Sequence, residues 1–143
     1  MYLTSGVQNT ALGAYSHFYN SSGHYNTFIG ASSGQGASGQ DHHRNTGVGY
    51  QSLTAVTTGG YNVAIGNTAG GNITSGDGNV IIGDADAASA TGDRQLMITG
   101  HDGTTTTTWI SGDSSGNLTF PADVTLGDDL LLDSDSCVLK FGD

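Results

Sequence analysis

The stretch Asn62-Val63-Ala64-Ile65-Gly66 returns as Asn79-Val80-Ile81-Ile82-Gly83, 17 residues further along the chain. Three earlier copies share the pattern Asn-(Thr/Val)-x-(Leu/Ile/Val)-Gly, and successive copies are separated by 17, 19, 17 and 17 residues. The five copies occupy residues 9–13, 26–30, 45–49, 62–66 and 79–83. A period of this length is the signature of a repeat protein in which each copy is one structural unit.

The second and fourth residues of each pentapeptide share one face of a short strand, because side chains alternate along a strand. Nine of these ten residues are β-branched, which suits a packed, pleated surface. We therefore expect this face to pack, with its fourth-position residues stacked as a structural ladder: Leu12, Ile29, Val48, Ile65 and Ile82. A second apolar point, Val56 or Ile73, follows eleven residues after its asparagine.

The asparagine and the glycine of each copy are expected to mark the turns that bound the strand. Glycine adopts positive φ without a Cβ clash, and asparagine tolerates such positions while bonding to nearby backbone. The predicted repeat-turn residues are Asn9, Gly13, Asn26, Gly30, Asn45, Gly49, Asn62, Gly66, Asn79 and Gly83.

One unit of this kind buries no face alone, whereas stacked units hydrogen-bond to one another at about 4.8 Å. The sequence therefore predicts an all-β fold, a parallel β-roll or β-solenoid with 17-residue rungs over residues 1–100. Five to six rungs are expected, the sixth being the degenerate copy at residues 95–100. Leu, Ile, Val and Phe total only 28 of 143 residues, so the core of a single roll is thin. We expect three rolls to pack together as a homotrimer.

Composition excludes several classes of protein. The chain has 13 Asp, no Glu and only 3 basic residues, for a net charge of -10. A helical protein needs Glu, Lys and Arg in bulk, and a nucleic-acid-binding protein needs a basic surface. No apolar run approaches the 18 or so residues of a membrane-spanning helix. We therefore expect no nucleic acid partner and no membrane insertion.

The period ends after Gly100, and residues 101–143 are expected to form a β-hairpin followed by a short intertwined β-shaft of the trimer. Short alternating segments at residues 124–126, 130–132 and 137–141 are the predicted shaft strands. Strands this short do not make a stable sheet within one chain. The sequence stops directly after the last of them, which is typical of a piece cut from a longer polypeptide.

These repeats resemble those of tailed-bacteriophage fibres, particularly those of marine phages, and residues 116–130 are similar to β-shaft repeats of such fibres. The copy at residues 62–66 is also similar to the head repeat of trimeric autotransporter adhesins, whose period is nearer 14 residues. Both families are homotrimers that carry host attachment. The resemblance implies a structural, non-catalytic fibre segment located in the virion, in a tail or other surface fibre.

The resemblance also implies the partners: two further copies of the chain, other virion proteins, and a glycan or protein on the host cell surface. Two alternatives stay open, the head domain of a bacterial trimeric adhesin at the cell surface and a fragment of a polysaccharide-degrading tailspike. The tailspike would need paired carboxylates in a groove, and the chain offers only Asp in turn-like contexts.

No residue pattern predicts a catalytic, cofactor-binding or metal-binding site, so the chain is not expected to be an enzyme. The one long unit carries two extra residues, which must leave the coil as a bulge. Loops on rigid scaffolds concentrate binding groups. The candidate receptor loop comprises Gln40, Asp41, His42, His43 and Arg44, with both histidines expected in an exposed loop.

Overall fold

The computed structural model describes residues 5–126, and every regular element in that range is a β-strand. No helix able to cross a membrane occurs within that range. The strands, in chain order, are β1 Thr10–Leu12, β2 Thr27–Ile29, β3 Thr46–Val48, β4 Val63–Ile65, β5 Val80–Ile82, β6 Leu96–His101, β7 Thr106–Gly112 and β8 Leu118–Thr119.

Strands β1 to β6 pair in parallel and in sequence order, so the chain coils into a β-solenoid of about five turns. The register aligns each pentapeptide with the next: Leu12 pairs with Ile29, Ile29 with Val48, and Val48 with Ile65. The predicted all-β solenoid is therefore confirmed. Strand β6 occupies the position of the expected sixth rung, since Leu96 pairs with Val80.

In β2 to β5 the middle residue of the strand points into the solenoid, whereas Ala11 of β1 is exposed. Phe28, Ala64 and Ile81 are fully buried. The predicted ladder residues do stack in register, but their side chains point outward, and the expectation that their face packs inside this chain is wrong. The exposed fractions are 66% for Leu12, 38% for Ile29, 43% for Ile65 and 38% for Ile82, and Val48 is half-buried.

Alternation along the strand explains the inversion. The asparagine before each strand has its side chain inside the solenoid, as Asn62 does with no exposed surface. Successive side chains point to opposite faces, so the residue two positions later, Ala64, is also inside, and its neighbours Val63 and Ile65 are outside. The β-branched positions thus form the outer surface of the sheet.

Large and small residues complement each other inside the rungs. Phe28 fills its own rung beside Gly34, where an added Cβ would lie 2.4 Å from the phenyl ring. In the next rung the small residue is Gly47 and the large one is Leu53, which is fully buried. A Cβ on Gly47 would lie 2.7 Å from Cδ1 of Phe28. The expected second apolar point is also inside, since Val56 and Ile73 are fully buried. Large side chains of one rung thus pack against small residues of the same or the next rung.

After β6 the chain reverses direction. Strand β7 pairs antiparallel with β6, and β8 pairs antiparallel with β7. The carboxylate of Asp102 accepts the backbone N–H groups of Thr104 at 2.9 Å and of Thr105 at 2.8 Å, which closes the turn. The hairpin expected after Gly100 is therefore present, as an extension of the same sheet.

Residues 124–126 pair with no other strand of the same chain within residues 5–126, and the strand predicted there, which belongs to the three-chain shaft, stays a prediction. A three-residue strand needs a neighbour to supply its hydrogen bonds, and the last described strand, β8, pairs with β7 instead. The other two predicted shaft strands, at residues 130–132 and 137–141, lie outside the described residues.

Candidate functional site

A column of buried side-chain amides runs through the solenoid. The side-chain oxygen of Asn62 accepts the backbone N–H of Asn79 at 2.9 Å and its Nδ2 at 3.0 Å. Nδ2 of Asn62 donates to Oδ1 of Asn45 at 3.1 Å and to the carbonyl of Gly76 at 2.9 Å. We call the set the Asn column; its members are Asn9, Asn26, Asn45, Asn62, Asn79 and, in place of a sixth asparagine, Gln95.

The Asn column revises the predicted role of these asparagines. They are interior residues that tie one rung to the next, and the positive φ falls on the residue just before them, as at Tyr25 and Tyr61. The glycines that follow each strand do have positive φ, between 106° and 140°. At Gly66 an added Cβ would lie 2.5 Å from the carbonyl oxygen of Gly83, so only glycine fits this close backbone approach.

The two extra residues of the long unit leave the solenoid at residues 37–39, which are exposed. A Cβ on Gly39 would have no atom within 4 Å. The chain rejoins its rung at Gln40, which forms a bridge with Asn20. Asp41 then accepts a hydrogen bond from the backbone N–H of Ser22 at 2.9 Å, and such bonds lower the pKa of its carboxyl group. The expected bulge is therefore shorter than the candidate receptor loop.

The prediction of an exposed His42 is wrong, since its ring is fully buried. The ring centroid lies 5.1 Å from that of His17 and 5.5 Å from that of Phe28. The physical reason is the bulge. The bulge carries the loop of the long unit outward. In the next two rungs Val56 and Ile73 fill the interior at this point, whereas the long unit has no inward apolar residue there. The imidazole of His42 occupies that space.

His17 and His42 form a buried histidine pair without hydrogen bonds. None of their four ring nitrogens has a partner in the described structure. Burial lowers the pKa of His17 to about 4. Burial and then the charge of His17 lower the pKa of His42 to about 3. Both rings are therefore neutral at pH 7 and act as core side chains.

His43 and His24 stack on the outer side of the coil, with ring centroids 5.5 Å apart and an interplanar angle of 14°. Nδ1 of His43 accepts the backbone N–H of His24 at 3.1 Å, and Nδ1 of His24 accepts that of Val7 at 3.0 Å. A neutral imidazole that accepts at Nδ1 carries its hydrogen on Nε2. Each ring therefore keeps one N–H donor for another acceptor.

Arg44 lies between two tyrosines at one corner of the solenoid. Its Cζ atom is 5.0 Å from the ring centroid of Tyr25 and 5.3 Å from that of Tyr61. These three residues immediately precede the asparagines of successive rungs and have φ of 63°, 56° and 60°. All three side chains are exposed. We call this set the Arg44 corner; within the candidate receptor loop, Arg44 is the residue whose side chain is exposed.

The sequence interpretation did not identify the Arg44 corner, although its signal was present. Aromatic or basic residues directly precede the asparagine in successive units, as Tyr25, Arg44 and Tyr61 do. The alignment of rungs that the period predicts brings these three side chains together.

No group of three or more His, Cys, Asp or Glu side chains able to hold a metal ion occurs within residues 5–126. The Asp side chains instead support turns; Asp113, for example, accepts the backbone N–H groups of Ser115 at 2.9 Å and Asn117 at 3.0 Å. Comparison of the chain with protein-family models, with curated proteins and with solved structures gave no match.

Proposed function

We propose that this chain is a structural, non-catalytic segment of a homotrimeric phage fibre that contributes to virion structure and host attachment. One observation carries the proposal of self-association: the outer apolar face of the sheet. The third residues of successive strands form an apolar row, stacked by the register; the first-position row beside it is threonine in β1 to β3 and apolar in β4 to β6, at Val63, Val80 and Leu96. The third-position row is Leu12, Ile29, Val48, Ile65, Ile82 and Ile98.

The outer apolar face is continuous along the sheet. Val63 and Val80 lie beside Ile65 and Ile82, and Ile110 of β7 pairs with Ile98 at the hairpin end. Monomeric proteins rarely expose contiguous apolar patches larger than a few hundred Å². A second copy placed on this face would bury β-branched side chains that water now surrounds, at roughly 25 cal/mol per Å² of apolar area.

A closed symmetric oligomer covers this face on every copy, because each chain presents the same surface. The threefold count and the assignment to a phage fibre rest on the resemblance of the repeats to phage fibre and adhesin-head repeats. The parallel stack of rungs supports such a role, since a solenoid extends along one axis as rungs are added. Host attachment is part of the same resemblance.

A bacterial trimeric adhesin head remains the second candidate, because its repeat also contains the Asn-Val-Ala-Ile-Gly pattern of residues 62–66. A signal peptide and a C-terminal membrane anchor in the parent gene would favour the adhesin, and neighbouring genes for virion proteins would favour the fibre.

Native mass tests the proposal directly. Light scattering coupled to size exclusion is expected to give three times the chain mass of 14.5 kDa. Dilution into the nanomolar range should leave the species intact. A folded chain that stays monomeric at micromolar concentration would contradict the proposed fibre segment.

A further inference from the structure

We infer that the Arg44 corner binds the carboxylate group of an acidic polysaccharide. The inference rests on the proposed role in host attachment, for which it names the class of ligand and the binding residues. Three observations support the inference: the guanidinium of Arg44 lies between two tyrosine rings, no acid pairs with it within residues 5–126, and phenol and imidazole groups lie on the same and neighbouring rungs.

Two tyrosines flank the guanidinium of Arg44. Tyr25 comes from the rung on one side and Tyr61 from the rung on the other, both within cation–π distance of Cζ. Within residues 5–126 no hydrogen bond or ion pair occupies the N–H edge of this guanidinium. That edge matches a carboxylate in a bidentate, planar geometry. Stacking also orders the side chain before a ligand arrives, which reduces the entropy cost of binding.

No acid is paired with this edge within the described part of the chain. Among residues 5–126, Arg44 forms no ion pair, although this range contains eight Asp. The nearest acid in sequence, Asp41, is instead held by Ser21 and Ser22. A guanidinium that lies between two rings and is unpaired within these residues is available to an acid from another molecule. With a net charge of -10, general attraction of polyanions is excluded, so binding must come from local geometry.

The surrounding groups favour a sugar over a lone anion. The phenol groups of Tyr25 and Tyr61 donate and accept hydrogen bonds, and Nε2 of His24 and of His43 is an N–H donor. Hydroxyl groups of a sugar can pair with phenol and imidazole groups of this kind, whereas a small anion bound at the guanidinium makes no use of them. The three corner residues follow one another at the rung spacing of about 4.8 Å, so they form a line suited to a chain-like ligand.

The test is calorimetric titration of the full chain with oligogalacturonate, its methyl ester and a sulfated neutral oligosaccharide of similar length. The key variants are Arg44→Gln and Arg44→Lys. Gln8 already occupies the equivalent corner with φ 59°, so glutamine is compatible with this backbone. Arg94 lies at the same corner position near the end of the solenoid, with φ 52°, and no ring contact to it occurs in the described residues. Arg94→Gln is therefore the matched control with the same charge change.

We expect oligogalacturonate to bind, the methyl ester to lose binding, and Arg44→Gln to weaken the affinity at least tenfold while Arg94→Gln leaves it within twofold. Arg44→Lys should weaken it nearly as much, because lysine keeps the charge and loses the planar edge. Absence of oligogalacturonate binding, equal effects of the two glutamine variants, or binding of the sulfated sugar alone would overturn the inference.

The native mass separates this result from the proposed function. A trimer that does not bind oligogalacturonate refutes the carboxylate site and leaves the fibre role. A monomer that binds it through Arg44 supports the site and refutes the fibre role.

Discussion

Asn79 donates two hydrogen bonds to one atom of Asn62: its backbone N–H at 2.9 Å and its side-chain Nδ2 at 3.0 Å both reach Oδ1. Both side chains are fully buried. The same arrangement links Asn62 to Asn45 in the preceding rung. The column therefore satisfies, rung by rung, backbone groups that would otherwise be buried without partners.

We expect Asn62→Leu to destabilise the fold by about 3 kcal/mol, although leucine has a similar volume. The substitution removes the acceptor for both donors of Asn79 and the donor to Gly76, and each buried group left unpaired costs about 1–3 kcal/mol. Urea unfolding followed by circular dichroism measures the change. Asn67→Leu is the matched control, since Asn67 is exposed and bonds only to Asp84; its effect should stay within about 0.5 kcal/mol. Equal effects at the two positions would contradict the column's role.

Ile65→Asp is expected to abolish self-association while the solenoid itself still folds. Ile65 is 43% exposed in one chain, so its aspartate stays hydrated until two copies meet, when burial of an unpaired charge costs several kcal/mol. Light scattering should give the monomer mass, with an unchanged strand signal in circular dichroism. Ser38→Asp adds the same charge on the exposed bulge and should leave assembly intact. The neighbouring Ala64→Asp should prevent folding, since Ala64 is fully buried.

An Ile65→Asp chain that assembles like the parent would show that the outer apolar face is not the contact between copies. An Ile65→Asp chain that fails to fold would show that Ile65 contributes to the interior after all.

Acid is expected to destabilise the N-terminal half of the solenoid through the buried histidine pair. The pKa values of about 4 for His17 and about 3 for His42 lie below the ordinary value of 6.5. Because the pKa is lowered in the folded state, the unfolded chain takes up protons first as the pH falls. The free energy of unfolding is therefore not reduced by the histidines above pH 6.5, and it decreases as the pH falls toward 4. At pH 5 each histidine should lower the free energy of unfolding by on the order of 2 kcal/mol, at about 1.36 kcal/mol for each pH unit below 6.5.

His17→Leu should remove the part of this acid sensitivity that His17 causes. Leu53 occupies the equivalent position with the same φ of 51°, so leucine is compatible with the backbone there. Thermal melts at pH 7.5 and pH 5 measure the difference. His101→Leu changes an exposed histidine and should leave the difference between the two melting temperatures as it is in the parent. A parent chain with equal melting temperatures at both pH values would disprove the prediction.

Deletion of Ser38 and Gly39 is expected to preserve the fold, because it restores a 17-residue unit by removing exposed residues of the bulge. Loop shortening by two residues changes the closure entropy by only a few tenths of a kcal/mol. The deletion should also leave oligogalacturonate binding unchanged, since Arg44 is fixed by its rung and by the two tyrosines. Loss of binding with an intact fold would move the ligand site to the bulge.

The period of the sequence was sufficient to predict the parallel stack and its register, because each copy can bury its strand only against the next. The inside and outside of the strand were not predictable from β-branched residues alone. Position three of the pentapeptide varies among Ala, Phe, Gly and Ile, and in two rungs its size complements that of the residue six positions later: Phe28 with Gly34, and Gly47 with Leu53. In these rungs the pairing of sizes, rather than β-branching, marks the interior.

The candidate receptor loop was likewise predictable only in part. The bulge was predictable from two extra residues, but its limits were not, since Gln40 and Asp41 are drawn back by Asn20, Ser21 and Ser22. His42 was misplaced because its polarity suggests exposure, whereas the interior of that rung lacked an apolar side chain.

The Asn column also has a genetic consequence. Every interior rung uses its asparagine to bond to the rung before it and to the rung after it, so the bonding of the column is the same at every place in the series. Recombination between repeats in a gene of this kind, in steps of seventeen codons, would lengthen or shorten the coil by about 4.8 Å at a time. The length of such a protein can therefore change during evolution without a new fold having to arise.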